Sequence, residues 1–151
     1  MKVVLRDVID SDLPIFFEHQ RDPVAAQMAA FPSREHEAFM THWAKIRLKP
    51  SNIIRTIVGD QQVTGNIGSW IAEERRLIGY WIGREFWGRG VATAAVAAFV
   101  AEVKERPLHA FVAEHNVGSF FGALPDNRLA QSRRAPGHDH NLAAQSHLDP
   151  P

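Results

Sequence analysis

Between Ile82 and Ala95 the chain reads IGREFWGRGVATAA, with Gly83, Gly88 and Gly90 directly ahead of an alanine-rich run of helical character. Gly88 and Gly90 lack a Cβ, so the backbone there can adopt unusual φ/ψ values and come into van der Waals contact with a ligand. A helix opening near Gly90 adds unpaired N–H groups and the positive end of its dipole at the same place, which suits a phosphate or pyrophosphate. A tight strand-to-helix turn with no ligand accounts for the three glycines equally well. Two other phosphate cradles do not fit. No Gly-Lys-Ser/Thr ending makes a P-loop, and Thr93 stands where a dinucleotide fingerprint needs its third glycine.

Other side chains are chemically able but weakly placed. Glu85, Glu114 and His115 lie near these stretches, and His19 and Glu18 lie nearer the N-terminus; a Glu or His at such positions is most often solvated or structural, and none is assigned as a base. Trp70, Trp81 and Trp87 fit an apolar groove or a core wall. His138 and His140 have no third ligand at a standard spacing, so no metal site is expected.

The elements that must position the glycines follow from period and punctuation. Val3 to Leu5 reads as a first strand, and the DSDLPIFFEHQ stretch as an amphipathic helix with acidic N-cap candidates and Leu13, Phe16 and Phe17 at helical spacing. A second helix runs from a Ser33 cap with Phe39, Trp43 and Ile46 on one face, and stops at Lys49-Pro50. Two β-rich runs then flank Gly59-Asp60, and a third, Leu77 to Ile82, follows a turn at Glu73 to Arg76, giving an antiparallel meander. The helix after the glycines sets Val91, Ala95 and Phe99 on one face with Ala94 and Ala98 beside it. Leu108 to Ala113 is the next strand, so the connection is a parallel crossover.

Composition sets the bounds. A chain of 151 residues with 45% hydrophobic content is expected to form one globular domain. Its 17 Lys plus Arg balance 17 Asp plus Glu, which leaves no whole-molecule field for nucleic acid or an anionic membrane surface. With no cysteine, disulfides, thiol catalysis and Cys-ligated zinc are excluded, and a cytoplasmic setting is expected. No apolar stretch approaches the roughly 20 residues of a membrane span.

The order strand, two helices, meander, glycine turn, helix, strand resembles the GNAT superfamily of acyl-CoA-dependent N-acetyltransferases. The stretch GYWIGREFWGRGVATAA is similar to its central CoA-binding motif, Gln/Arg-x-x-Gly-x-Gly/Ala, which falls on Trp87, Gly88, Arg89, Gly90, Val91 and Ala92. Trp87 in the first place resembles the branch of ribosomal-protein-alanine N-acetyltransferases, and Asn116 and Ser119 in EHNVGS look like the family's Asn-x-x-Ser. The resemblance covers residues 1 to about 121 and implies an α/β fold: a mixed, mostly antiparallel sheet with flanking helices. It also implies transfer of an acetyl group from acetyl-CoA to a primary amine of a small molecule or a peptide or protein N-terminus, by direct attack. The implied cosubstrate contacts are Trp81, Ile82 and Gly83 at the end of the strand, Trp87 to Thr93 around the pyrophosphate, and Asn116 and Ser119 near the thiol. An amide near Ile82 would polarise the thioester, Arg89 would bring charge, Thr93 would add a donor, and Ser119 is the candidate proton donor to the thiolate. The first helix, with His19 and Glu18, would help line the acceptor site. A catalytically impaired CoA-binding module, or a truncated GNAT product without activity, is the alternative; a domain binding some other anion is a weaker one.

Residues 122–151 break the pattern. They contain no Val, Ile, Phe, Trp or Tyr, so they are expected to form a polar tail, with a short helix around Asn141 to His147, rather than the last strands that close the family's sheet. The strand at Leu108 to Ala113 would then keep an open edge beside Phe111, Phe120 and Phe121, and a homodimer through the 108–121 region is the expected consequence.

Overall fold

The computed structural model describes residues 1–29, 33–112 and 129–133. One sheet takes six strands in sequence order: β1 (Val3–Asp7), β2 (Ile53–Gly59), β3 (Gln62–Ala72), β4 (Arg75–Ile82), β5 (Leu108–Val112) and β6 (Leu129–Arg133). The first four pair antiparallel, whereas β4–β5 and β5–β6 are parallel. Helices α1 (Leu13–Arg21), α2 (Pro23–Ala29) and α3 (His36–Leu48) lie between β1 and β2, and α4 (Val91–Glu102) links β4 to β5. The meander and the crossover expected from the sequence are both present.

The hairpin turns use no glycine at their centres. Asp60 and Gln61 sit at φ 47° and 68°, and Glu73 and Glu74 at 51° and 62°, the left-handed pair that matches the twist of adjoining strands. Asp60 also fastens β1: its amide donates to the Lys2 carbonyl at 3.0 Å and its Oδ1 accepts from the Lys2 amide at 2.9 Å. That sets Val3 opposite Gly59.

Burial divides along the strands by alternate residues. Ile78, Tyr80 and Ile82 of β4 join Ile57, Ile67 and the α4 residues Val91, Ala95, Val96 and Phe99 in one core. Leu77 and Trp70 face the other way, against Phe16 of α1 and Trp43 of α3. The α4 helix has no side-chain cap at Gly90, a loss of only about a few tenths of a kcal/mol relative to a polar cap. Its buried Val91, Val96 and Phe99 outweigh that at roughly 2 kcal/mol each. The residues flanking its buried stripe are Ala92 and Val96; the expected Ala94 and Ala98 are exposed.

Four further expectations are corrected. The second helix starts at His36, with Glu35 rather than Ser33 at its N-cap. The seven residues Pro23–Ala29 form a helix of their own. Asp22 caps it, its Oδ1 accepting from the amides of Val24 (2.9 Å) and Ala25 (3.2 Å). Asp12 does not cap α1. Its buried carboxylate accepts from both Arg6 guanidinium nitrogens (2.7 and 2.8 Å), the Ile9 amide (3.0 Å) and the Thr56 hydroxyl (2.7 Å). Finally, the tail supplies a strand: β6 runs parallel to β5 from Leu108↔Leu129 to Val112↔Arg133. An edge strand is held by main-chain hydrogen bonds, which do not require β-branched or aromatic side chains. The β5 edge is therefore covered by its own chain, which removes the open edge from which a homodimer was expected. Phe120, Phe121 and the expected helix at 141–147 lie outside the described residues.

The Asp12 cluster yields a stability prediction. Burial pushes this carboxyl up, but hydrogen bonds from Arg6, Ile9 and Thr56 overbalance it and the net pKa lies below the ordinary carboxylate value. Stability from Asp12 is thus fully present above pH of about 4 and is lost as pH falls through the depressed folded value. Asp12→Ala strands the buried Thr56 hydroxyl, and because Arg6 is partly exposed and rehydrates, the expected loss is about 2 kcal/mol. Urea unfolding at pH 7 and pH 3 checks this: the gap between wild type and variant should narrow at the lower pH.

Candidate active site

The site is built around the C-terminal end of β4. After Ile82 the chain makes a 3₁₀ turn at Arg84–Phe86, then the glycine turn, then α4. Gly88 and Gly90 have φ values of 75° and 73°, and a Cβ built on either would meet nothing within 4 Å. Both are therefore glycines for backbone conformation, and their open side leaves the main chain uncovered. Gly90 is the N-cap of α4, and its carbonyl accepts from the Ala94 amide at 3.1 Å. The amides of Val91, Ala92 and Thr93 precede that first helical bond and have no partner within the helix. Gly88, Arg89, Gly90 and Thr93 are exposed. Free amides at the head of a helix are what a phosphate or pyrophosphate group suits, and the Arg89 and Thr93 side chains stand exposed beside them.

Beside the turn, β4 and β5 part. Their ladder comprises Arg76↔Leu108 and Leu77↔His109 among the described residues, while β5 continues to Val112 in register with β6. At the far end of β4 the Gly83 amide donates to the Thr64 carbonyl at 2.8 Å. Bonded and non-bonded positions alternate along an antiparallel pair, so Trp81 and Gly83 turn their main-chain groups toward β3. Tyr80 and Ile82 turn theirs away, into the gap between β4 and β5. The Ile82 carbonyl there accepts from the Trp87 indole at 3.1 Å, which pins the carbonyl and leaves the Ile82 amide directed into the gap.

Gly83 has a different reason to be glycine. Its φ is −58°, open to any residue, but a Cβ would lie 2.6 Å from His19 Nε2 and 2.8 Å from Cδ2. The imidazole of α1 rests directly on this backbone. Its own carbonyl accepts from the Trp81 indole at 3.3 Å, Phe86 meets its ring edge-on, and Glu85 Oε1 stands 3.8 Å from Nε2. Burial pushes the His19 pKa below the ordinary value; Glu85 and Glu18 oppose that without overcoming it. Burial thus favours the neutral ring.

A family model described as the acetyltransferase (GNAT) domain matches residues 2–120. The chain belongs to the GNAT acetyltransferase family. Solved GNAT-like folds agree. An acetyltransferase from Thermus thermophilus superposes with a TM-score of 0.66 at 16% identity, over 82% of this chain and 85% of that one. The aminoglycoside acetyltransferase AAC(6')-Ib, in complex with coenzyme A and kanamycin, gives 0.64 at 16% identity over 80% of each chain. A spermidine N-acetyltransferase from Vibrio cholerae, in complex with CoA and spermine, gives 0.57 at 12% identity over 66% of this chain and 62% of that one. At these identities the likeness is one of fold. A search of the curated proteins gives no match.

Within the GNAT frame, the structure brings Ile82, Gly83 and Trp87 to Thr93 together at one end of β4. Trp81 points to the α1 side, buried against Ala25. Trp70 belongs to the core between the sheet, α1 and α3 rather than to this cluster. Glu114, His115, Asn116, Ser119, His138 and His140 lie outside the described residues. The contact of His19 with Gly83 has no counterpart in the sequence reading, because 64 positions separate the two and no local spacing signals it. No described helix is long and apolar enough to cross a membrane.

Proposed function

We propose that this GNAT domain is a cytoplasmic acetyl-CoA-dependent N-acetyltransferase that acts on a primary amine of a small molecule or of a peptide or protein N-terminus. The observation that carries the reading is the uncovered glycine turn at the head of α4, set beside the gap into which the Ile82 amide points. Acetyl-CoA supplies an activated acetyl thioester. The chain's own part is to hold and polarise it. Val91 to Thr93 amides and Arg89 take the pyrophosphate, and the Ile82 amide donates to the thioester carbonyl oxygen, where negative charge grows as the amine attacks. Direct attack is favoured over transfer through a cysteine acyl-enzyme, since the chain has no cysteine. Two fold neighbours hold CoA together with kanamycin or spermine, both amines, which supports an amine acceptor here.

Thermal shift with acetyl-CoA, then with inorganic pyrophosphate alone, tests the binding. Acetyl-CoA at 100 times its dissociation constant should stabilise by about 2.7 kcal/mol, and equal stabilisation by pyrophosphate would leave only an anion site. Thiol release over a panel of primary amines tests the transfer. Binding without turnover on any amine would favour the impaired module.

Ser119 is proposed as the group that protonates the departing thiolate. Ser119→Ala should lower kcat about a hundredfold while sparing acetyl-CoA affinity. A variant that loses about 1 kcal/mol of stability with kcat intact would instead mark a helix cap.

A further inference from the structure

Among the described residues, one face of the sheet is left from which an amine can reach the thioester. Core residues of α4 cover the face carried by Ile78, Tyr80 and Ile82, so access to the gap is from the face on which α1 and α2 pack. On that face α1 sets a single imidazole against the end of β4. His19 is 6% exposed and lies on Gly83, the residue that follows Ile82 in the chain. Among the described residues neither ring nitrogen is committed: Nδ1 is buried with no partner, and Nε2 stands 3.8 Å from Glu85 Oε1, beyond hydrogen-bond reach.

We propose that His19 is the proton acceptor for the attacking amine, with Glu85 stabilising the imidazolium that results; this rests on the acetyl-transfer reading above. An ammonium group cannot attack, so it must first give up a proton. The first proton leaving nitrogen goes to His19 Nε2 and frees the lone pair that forms the new C–N bond. As the C–S bond breaks, nitrogen gives up its second proton, which makes good the one the departing thiolate takes up to leave as the CoA thiol, and His19 returns its own to solvent past the exposed Glu85. Nothing is oxidised or reduced, and one amide, one thiol and one released proton replace one ammonium and one thioester.

The charged groups around the ring fit this role. Glu18 precedes it on α1 and is paired with Arg21 at 3.1 Å. Arg84, next to Glu85, is turned to Asp22 at 3.5 Å and so is partly neutralised. Trp81 of β4 and Gly83 just after it bring no charge, and none of the α2 residues Pro23–Ala29 is ionisable. Burial keeps the ring unprotonated and ready to accept, while Glu85 and Glu18 favour the cation once formed.

The test is the pH profile of kcat for acetyl-CoA with whichever primary amine the panel identifies, in wild type, His19→Gln and Glu85→Gln. Wild-type activity should fall as pH drops through the His19 pKa. His19→Gln should lose about a hundredfold or more in kcat and all of the acid limb, with KM for acetyl-CoA unchanged. Glu85 is exposed, so Glu85→Gln should fold normally, yet its acid limb should move to lower pH because a group that raises the His19 pKa has gone. A structural role for His19 would not tie its titration to Glu85, so an unmoved limb in Glu85→Gln overturns the proposal even if His19→Gln fails to fold. Retained kcat in a folded His19→Gln overturns it as well. Wild type with no turnover on any amine sinks the acetyl-transfer reading itself and the proton acceptor with it.

Discussion

Gly90→Val should bind acetyl-CoA at least a hundredfold more weakly than wild type by calorimetry, while remaining folded. Gly90 holds φ 73° and ψ 11° at the head of α4, a region that β-branched residues populate only under strain of order 1–3 kcal/mol. The substitution meets no atom of the protein, so nothing within the fold forbids it. Two responses remain. Either the turn relaxes to negative φ and the Val91 to Thr93 amides swing off their common target, or the strained turn persists and the isopropyl group occupies the space a pyrophosphate needs. Both cost binding more than stability. Unchanged affinity would detach the cosubstrate from this turn.

Gly65→Ala should have the larger effect on stability, roughly 3 kcal/mol or more by chemical denaturation, comparable to a severe core lesion. A Cβ at Gly65 would fall well inside contact distance of the Trp81 carbonyl oxygen and press on the Ile82 Cα as well. Those are backbone atoms, which cannot rotate out of the way. Gly65 pairs with Ile82 across the β3–β4 ladder, so relief requires β3 to part from β4 at Ile82, which shifts the amide that β4 aims from its other edge. Surviving Gly65→Ala protein should therefore also turn over more slowly than its folded fraction explains. A variant as stable as wild type would show that β3 and β4 are less tightly apposed than the structure has them.

How much of this was legible in the sequence depends on the range of the interactions involved. The meander, the glycine turn and the crossover helix are local patterns of period and punctuation, and each was readable from its own dozen residues. Helix α2 was not, since PVAAQMA carries no large apolar repeat; it is held by an aspartate cap and by Ala25 against Trp81. Asp12 reads locally as a helix cap, yet it serves a hydroxyl 44 positions away. Strand β6 escaped because side-chain composition says little about a strand secured by its main chain. The glycines show the same division. Gly88 and Gly90 announce a left-handed turn by their identity, whereas Gly83 is required by an imidazole from a distant helix, which only the assembled fold brings to it.

Strand β4 and the glycine after it place two sets of contacts on alternate letters of one short word. Tyr80 and Ile82 face the core beneath α4, and Trp81 and Gly83 face the α1 and α2 side, the one from which the proposed acceptor would arrive. Because successive side chains point to opposite faces, a one-residue insertion or deletion would exchange the two sets. Point substitutions leave the frame intact. Under the proposed function, a lineage built on this strand would revise its choice of amine at the odd-numbered positions and on the helices above them, while the even-numbered positions keep the α4 core the same. Variation in its descendants should be written in substitutions here, and in length changes only beyond the strand.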